Sequence, residues 1–332
     1  MEYREFGNTG IKVSVMGFGC GDVGGLIVRG TVQDRLEAVQ RALDLGITYF
    51  DTAALYGRGQ SEINLGAALR QLRADPVVGT KVRLQLEDLT NLKGGVFKSV
   101  ENSLARLGRD HVHLIQLHNS IGPARVEGQT VLTPEDAFEV QDAFTTLQIQ
   151  GKVSAWGLTA VGETEPLHTI INSGRFNTAQ SPYNLLNPSQ GGAVPSGYPY
   201  QDYNDLVGAG SSKGMGIIAI RVLAAGALSA TAERHELASQ SPPPIGSGAN
   251  LVDDVAVAQK FSFLWDEGYT DGAVEAAIRF VITNRGVSTA LVGLSSMEQL
   301  EYAAAAAEKG PLPGEAMERL QAVWEGLRPS PV

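Results

Sequence analysis

The chain has 332 residues, a length that suits one α/β barrel but does not by itself choose between one domain and two. Its 43% hydrophobic and 19% charged content is ordinary for a globular protein, while a net charge of −10 turns its field against polyanions. Nucleic acid and anionic membrane are therefore excluded as first partners, and a local basic pocket for a phosphate-bearing small molecule is not.

A single cysteine, Cys20, excludes an internal disulfide and a thiolate zinc site, which fits a reducing compartment. The N-terminal MEYREFGNTG has no basic segment followed by an apolar one, and no apolar run is long enough to span a bilayer. The expectation is a cytoplasmic protein without a membrane span.

In chain order, a hairpin is expected about Gly7-Asn8-Thr9-Gly10. Short Val/Ile-rich runs without polar alternation then predict buried parallel strands at 13–19, 48–50, 77–80, 112–117, 154–157, 177–180, 216–220 and 289–292. Helix-period stretches lie between them at 33–45, 61–72, 95–107, 135–150, 164–173, 201–213, 253–266 and 271–284, and two more follow at 296–307 and 314–327. Capping signals mark several starts, among them Thr133-Pro134-Glu135-Asp136 and Ser61-Glu62. Eight strand–helix alternations predict an α/β fold: a (β/α)₈ barrel with an N-terminal hairpin and extra helices near the C-terminus, one domain over 1–332.

Three connections are long: 119–134, 185–200 and 224–251. Each follows a strand, which places all three over the C-terminal face, where barrels build their sites. The last contains SPPPIGSG at 241–248, which suits neither helix nor strand and is expected to be mobile.

The strand ends carry the chemistry. Asp51 ends the second strand and Tyr56 follows on its loop; Lys81 ends the third, and His118 the fourth. Taken singly, these read as a turn cap, a rim aromatic, a solvated charge and a structural histidine. A barrel brings them to one mouth. There an ammonium favours phenolate and lowers the tyrosine's pKa, a carboxylate holds the ammonium, and a histidine bonds the oxygen that the tyrosine protonates. That set polarises a carbonyl and gives it a proton while a hydride arrives from elsewhere.

The segments YFDTAALYGRGQSEINLGAAL, VVGTKV, SVENSLARLGRDHVHLIQLH, GKVSAWGLT, AQSPYNLLNP and LVGLSSMEQLEYA resemble, in order, the successive signatures of the aldo-keto reductases. The resemblance implies a (β/α)₈ barrel that binds a nicotinamide cofactor, with Asp51, Tyr56, Lys81 and His118 as catalytic tetrad. It also implies stacking of the nicotinamide on Tyr183, with its carboxamide bonded by Gln180 and Thr159. Ala160 stands where the family usually has the Asn of a Ser-Asn pair. After the seventh strand, Arg221-Val222-Leu223 stands where the family has Ser-Pro-Leu, followed by Ala224-Ala225-Gly226; Arg221 either faces the pyrophosphate or forms a structural ion pair. Gly293, Ser295 and Ser296 lead into a helix N-terminus suited to phosphate, and Gln299 matches an adenosine contact. Family habit favours NADP(H) over NAD(H), although residues 293–307 contain no arginine to clamp a 2′-phosphate.

Rival patterns are present. Gly19-Cys20-Gly21-Asp22-Val23-Gly24 fits G-x-G-x-x-G, but no helix opens at its third glycine. His111-x-His113 looks like a metal pair at the wrong end of its strand, so no metal is expected. Asp51 and Glu62 as paired carboxylates of a barrel hydrolase form a third alternative. The reading adopted is an NAD(P)-dependent oxidoreductase for a small carbonyl compound (aldehyde, ketone or aldose) and its alcohol. Its competitor is a nicotinamide-binding, redox-sensing regulatory subunit with little turnover. No helical face singles out an oligomer interface.

Overall fold

The computed structural model describes residues 1–327; the last five positions of the expected 1–332 domain lie outside the described residues. The chain opens with the expected hairpin, β1 (Tyr3–Glu5) antiparallel to β2 (Lys12–Ser14). Phe6 and Val13 from this hairpin pack with Tyr49, Leu114, Ala155 and Ile218, plugging the N-terminal end of a barrel. Eight parallel strands close that barrel: β3 (Met16–Gly19), β4 (Tyr49–Asp51), β5 (Val77–Val82), β6 (Val112–Leu117), β7 (Val153–Thr159), β8 (Thr178–Pro182), β9 (Gly216–Ile220) and β10 (Val287–Gly293). They stand in chain order, and β10 pairs with β3.

The run 13–19, expected as one strand, is divided. The Ser14 amide donates to Thr48 Oγ1 at 2.8 Å, and the Thr48 amide donates to Ser14 Oγ at 3.0 Å. Those bonds tie Ser14 to the residue before β4, and the barrel strand begins at Met16.

The helices are α1 (Leu26–Arg29), α2 (Val32–Asp44), α3 (Gln60–Leu72), α4 (Leu92–Leu107), α5 (Pro134–Ile149), α6 (Thr164–Asn172), α7 (Leu206–Ser212), α8 (Leu251–Ala258), α9 (Phe263–Asp266), α10 (Ala273–Thr283), α11 (Met297–Glu308) and α12 (Gly314–Glu325). Capping boxes open α2 (Thr31 with Asp34) and α5 (Thr133 with Asp136, Pro134 at the first turn). Ser61-Glu62 is not a cap: α3 opens one residue earlier behind left-handed Gly59, and both side chains are buried. The stretch 201–213 yields only α7, because Asp205 receives the Gly208 amide and starts the helix there. The stretch 253–266 is broken by a 3₁₀ turn at Gln259–Phe261.

Strand alternation sorts residues between two cores. In β4, Phe50 faces outward and stacks on Phe18 at 5.4 Å, while Tyr49 belongs to the cluster inside the barrel. Two glycines make room for the Tyr49 ring. A Cβ on Gly17 would sit 2.9 Å from Tyr49 Cδ1, and one on Gly79 would sit 2.6 Å from Tyr49 Oη.

All three long connections leave C-terminal strand ends, from β6, β8 and β9. The proline-rich part of the third is pinned rather than free. Asp254 accepts from Ser247 Oγ and the Gly248 amide, both at 2.7 Å, and Asn187 Nδ2 donates to Gly246 O at 2.5 Å. Earlier in the same connection, the Ser239 amide donates to Val23 O at 3.1 Å, which straps it to the segment after β3. The glycine-rich run after β3 serves close packing within a closed barrel, not a dinucleotide turn: a Cβ on Gly24 would lie 2.3 Å from the Leu294 amide nitrogen. Among the described residues no helix is long and apolar enough to cross a membrane.

Candidate active site

Asp51 is 1% exposed, and donors from four strands converge on it. Tyr49 Oη (β4) donates at 2.7 Å, Gln180 Nε2 (β8) at 2.6 Å and Gln116 Nε2 (β6) at 3.2 Å, all to Oδ2. Oδ1 receives Lys81 Nζ from β5, and the same ammonium donates to Thr52 O at 2.8 Å. A carboxylate so saturated is a fixed negative charge, and the ammonium beside it a fixed positive one.

Tyr56 opens the 3₁₀ turn after β4, with Lys81 Nζ 4.7 Å from its ring centroid. Gly21 lies against the ring as well: a Cβ there would meet it at 3.4 Å. His118 follows β6, and its ring meets Tyr56 edge-on at 5.9 Å. The four residues expected from consecutive strand ends thus form one cluster at the C-terminal mouth.

The electrostatics depart from the expectation in one respect. Burial pushes the Tyr56 phenol above its ordinary range; Lys81 and Arg221 pull it down, Asp51 pushes it further up, and the net shift is upward. An adjacent ammonium therefore does not leave this phenol more acidic than free tyrosine, because the same site that holds Lys81 removes water. Burial works against the Lys81 charge too, but Asp51 and Tyr56 outweigh it and the net shift is upward. Burial, helped by Lys81 and Arg83, holds the His118 imidazole well below its usual range, so it is neutral at pH 7. Its Nδ1 is buried without a partner among the described residues.

The residues expected to hold a cofactor lie at or after the C-terminal ends of β7 to β10. Thr159 Oγ1 donates to Gln180 Oε1 at 3.3 Å, ending a chain that begins at Asp51. Gln180 keeps a second N–H and a second lone pair, enough to bond a carboxamide as well. Tyr183 is buried just past β8 with its ring 5.0 Å from Phe280, and burial pushes its phenol up to about 12. Arg221 follows β9 in left-handed backbone (φ 56°), and its guanidinium donates to Pro243 O at 2.9 Å. Among the described residues no carboxylate pairs with it, so of the two roles expected for Arg221 the structural ion pair is not formed. Leu223 and Gly226 flank a tight turn in which the Gly226 amide donates to Leu223 O at 2.7 Å. Gly293 ends β10 beside Gly19. Ser295 Oγ donates to Gly24 O at 2.6 Å and its amide to Gln299 Oε1 at 2.8 Å, while Ser296 caps α11.

Sequence reading missed Tyr49 and Gln116 as supports of Asp51. The i, i+2 spacing of Tyr49 and Asp51 on one inward face was the available signal. Glu62 does not pair with Asp51: its carboxylate, fully buried, receives Thr80 Oγ1 and Arg106 Nε, each at 2.5 Å. His111 and His113 are held by Ser154 Oγ and by the Val78 amide, and no metal-binding cluster occurs among the described residues.

A closed (β/α)₈ barrel whose C-terminal mouth gathers a carboxylate, an ammonium, a phenol and a neutral imidazole has the architecture of the barrel enzymes, which build their sites at that face. Residues 15–325 match the model of the Aldo/keto reductase family, and the chain belongs to that family. L-galactose dehydrogenase from Arabidopsis thaliana is 28% identical over 316 residues, covering 92% of this chain and 88% of that protein. A putative voltage-gated potassium channel subunit beta from Schizosaccharomyces pombe is 30% identical over 200 residues, 56% of this chain and 51% of that one. The fold is shared with the holo form of aldo-keto reductase AKR11C1 from Bacillus halodurans, at a TM-score of 0.73 and 22% identity over 99% of this chain and 98% of that one. Family membership makes the protein an oxidoreductase of carbonyl compounds.

Proposed function

We propose that the protein interconverts a small carbonyl compound (aldehyde, ketone or aldose) and its alcohol with a nicotinamide cofactor, using Tyr56 as general acid and base. The observation that carries this reading is the Lys81 ammonium, bonded to Asp51 and 4.7 Å from the centre of the Tyr56 ring. When bound, the nicotinamide supplies or accepts the hydride. Thr159, Gln180 and Tyr183 would hold its carboxamide and ring. Arg221, Leu223 and Gly226 would face the pyrophosphate, Gly293, Ser295 and Ser296 would meet a phosphate at the α11 N-terminus, and Gln299 would meet the adenosine end.

The raised pKa keeps Tyr56 protonated at neutral pH, so its Oη holds the proton that a nascent alkoxide needs. Once that proton leaves, the charge of Lys81 stabilises the phenolate, and Asp51 keeps Lys81 protonated and in place. Neutral His118 offers a ring nitrogen to the substrate oxygen without competing as an acid. Burial of Asp51 and Lys81 strengthens each of these interactions. An aldose is favoured within the carbonyl class by the name of the Arabidopsis relative. The cytoplasm is the proposed compartment, supported by the lone, buried Cys20.

The test is label transfer. Reduced nicotinamide deuterated at C4 is mixed with a panel of aldehydes, ketones and aldoses, and the alcohols are analysed by mass spectrometry. Deuterium in a product of the native protein and none with Tyr56→Phe supports the reading; equal label with both overturns it. The relative named as a channel subunit supports a second reading, a regulatory nicotinamide-binding subunit. Co-purification of a stable partner, with no label transferred to any of the panel, is the result that would favour it.

A further inference from the structure

A cavity of about 270 Å³ opens where the β10–α11 turn meets the start of α2 and the 224–251 connection. Ser295 and Ser296, expected at the cofactor's phosphates, line it. So do four carboxylates from three separate parts of the chain: Asp34 and Glu37 of α2, Glu236 of the connection, and Glu298 in the first turn of α11.

Among the described residues no lysine or arginine lines this cavity. The nearby guanidiniums are engaged elsewhere: Arg29 with Asp22 and Leu237 O, Arg41 with Glu301, and Arg35 with Thr31 O. His235, the remaining ionisable lining group, accepts the Leu237 amide at Nδ1. Two of the acids are fixed as anions. Thr31 holds the Asp34 carboxyl below its usual range through its hydroxyl and amide, and Glu298 is lowered by its own amide and the Ser296 hydroxyl.

A 2′-phosphate monoester carries about −1.5 to −2 charges at pH 7. Four carboxylates set against His235 and the α11 N-terminus leave it in net repulsion, whereas a ribose 2′-hydroxyl is a donor that a carboxylate accepts. We propose that this cavity receives the adenosine ribose and that its acids turn away a 2′-phosphate, so that the protein selects NAD(H) over NADP(H). The inference rests on the nicotinamide reading above and reverses the preference that family habit suggested.

Calorimetric titration tests it without turnover, using NADH, NADPH, 5′-AMP and 2′,5′-ADP on the native protein and on the exposed-site variant Glu236→Gln/Glu298→Gln. NADH is expected to bind at least about tenfold more tightly than NADPH, and 5′-AMP more tightly than 2′,5′-ADP by a similar factor. In the double variant both ratios move toward one. NADPH binding as tightly as NADH, or ratios unmoved by the double substitution, overturns the inference. If neither dinucleotide binds but 5′-AMP still outbinds 2′,5′-ADP, the nicotinamide reading falls and the acidic selection stands. If neither adenosine probe binds, the selection falls as well.

Discussion

Lys81 and Asp51 form an ion pair from which water is excluded: both side chains are essentially fully buried, and among the described residues no other acid reaches the ammonium. Removing one partner of a buried pair strands the other, at a cost of about 3–5 kcal/mol. Asp51→Asn keeps the shape and removes the charge. It is expected to lower stability by about 3 kcal/mol in denaturant titrations and turnover by about 100-fold or more. The double variant Asp51→Asn/Lys81→Met recovers much of the stability and none of the turnover. Recovery of both would show that the pair serves folding alone.

Tyr56→Phe removes one hydroxyl from the mouth and leaves the Gly21 and His118 contacts of the ring in place. The expected loss in kcat is about 10²- to 10⁴-fold, with nicotinamide affinity within a few-fold of native. Parallel turnover assays and binding titrations check it. A large fall in affinity with kcat unchanged would move Tyr56 from proton transfer to cofactor binding.

His118 links stability to pH. Its folded pKa lies well below the unfolded value of about 6.5. Between those two values the unfolded chain binds more protons than the native one, so stability falls as the pH drops below about 6.5 and levels off beneath the folded pKa. Denaturation midpoints measured across the mildly acidic range should decline for the native protein and flatten for His118→Gln. An unchanged slope in the variant would assign the acid sensitivity to other groups.

The barrel and the convergence of Asp51, Tyr56, Lys81 and His118 were legible because they are written locally. Each strand is a short apolar run, each helix has its own period, and Asp51, Tyr56, Lys81 and His118 sit at or beside strand ends whose common direction follows from topology. What stayed hidden depends on distant partners. Glu62 read as a helix start because nothing near it in sequence announces Arg106 or Thr80. The four acids of the adenosine cavity come from α2, a long connection and α11, and only folding brings them together. The direction of the Tyr56 shift was misread for a related reason: the neighbouring charge is visible in the sequence, and the extent of burial is not. The mobility expected at 241–248 followed from composition, which does not reveal Asp254 and Asn187 as the groups that tie it down.

Glu62 supplies the last prediction. Its carboxylate is fully buried between α3, β5 and α4, with Thr80 on one oxygen and Arg106 on the other, while the Arg106 side chain is 27% exposed. The pair fastens α3 to α4, which also meet where a Cβ on Gly66 would lie 2.2 Å from Leu107 O. Arg106→Leu leaves a buried anion with one hydroxyl for company and is expected to cost about 3 kcal/mol. Glu62→Gln removes the charge, keeps an oxygen to accept from Arg106 and turns an amide N–H to the Thr80 hydroxyl, so a smaller loss is expected. Adding it to Arg106→Leu should restore part of that variant's stability, because the stranded charge is gone. Neither change should alter turnover at a temperature where the variants stay folded, since Glu62 serves the helix pair and not the mouth. A loss of turnover in folded Glu62→Gln would return Glu62 to the list of reacting carboxylates and reopen the hydrolase alternative.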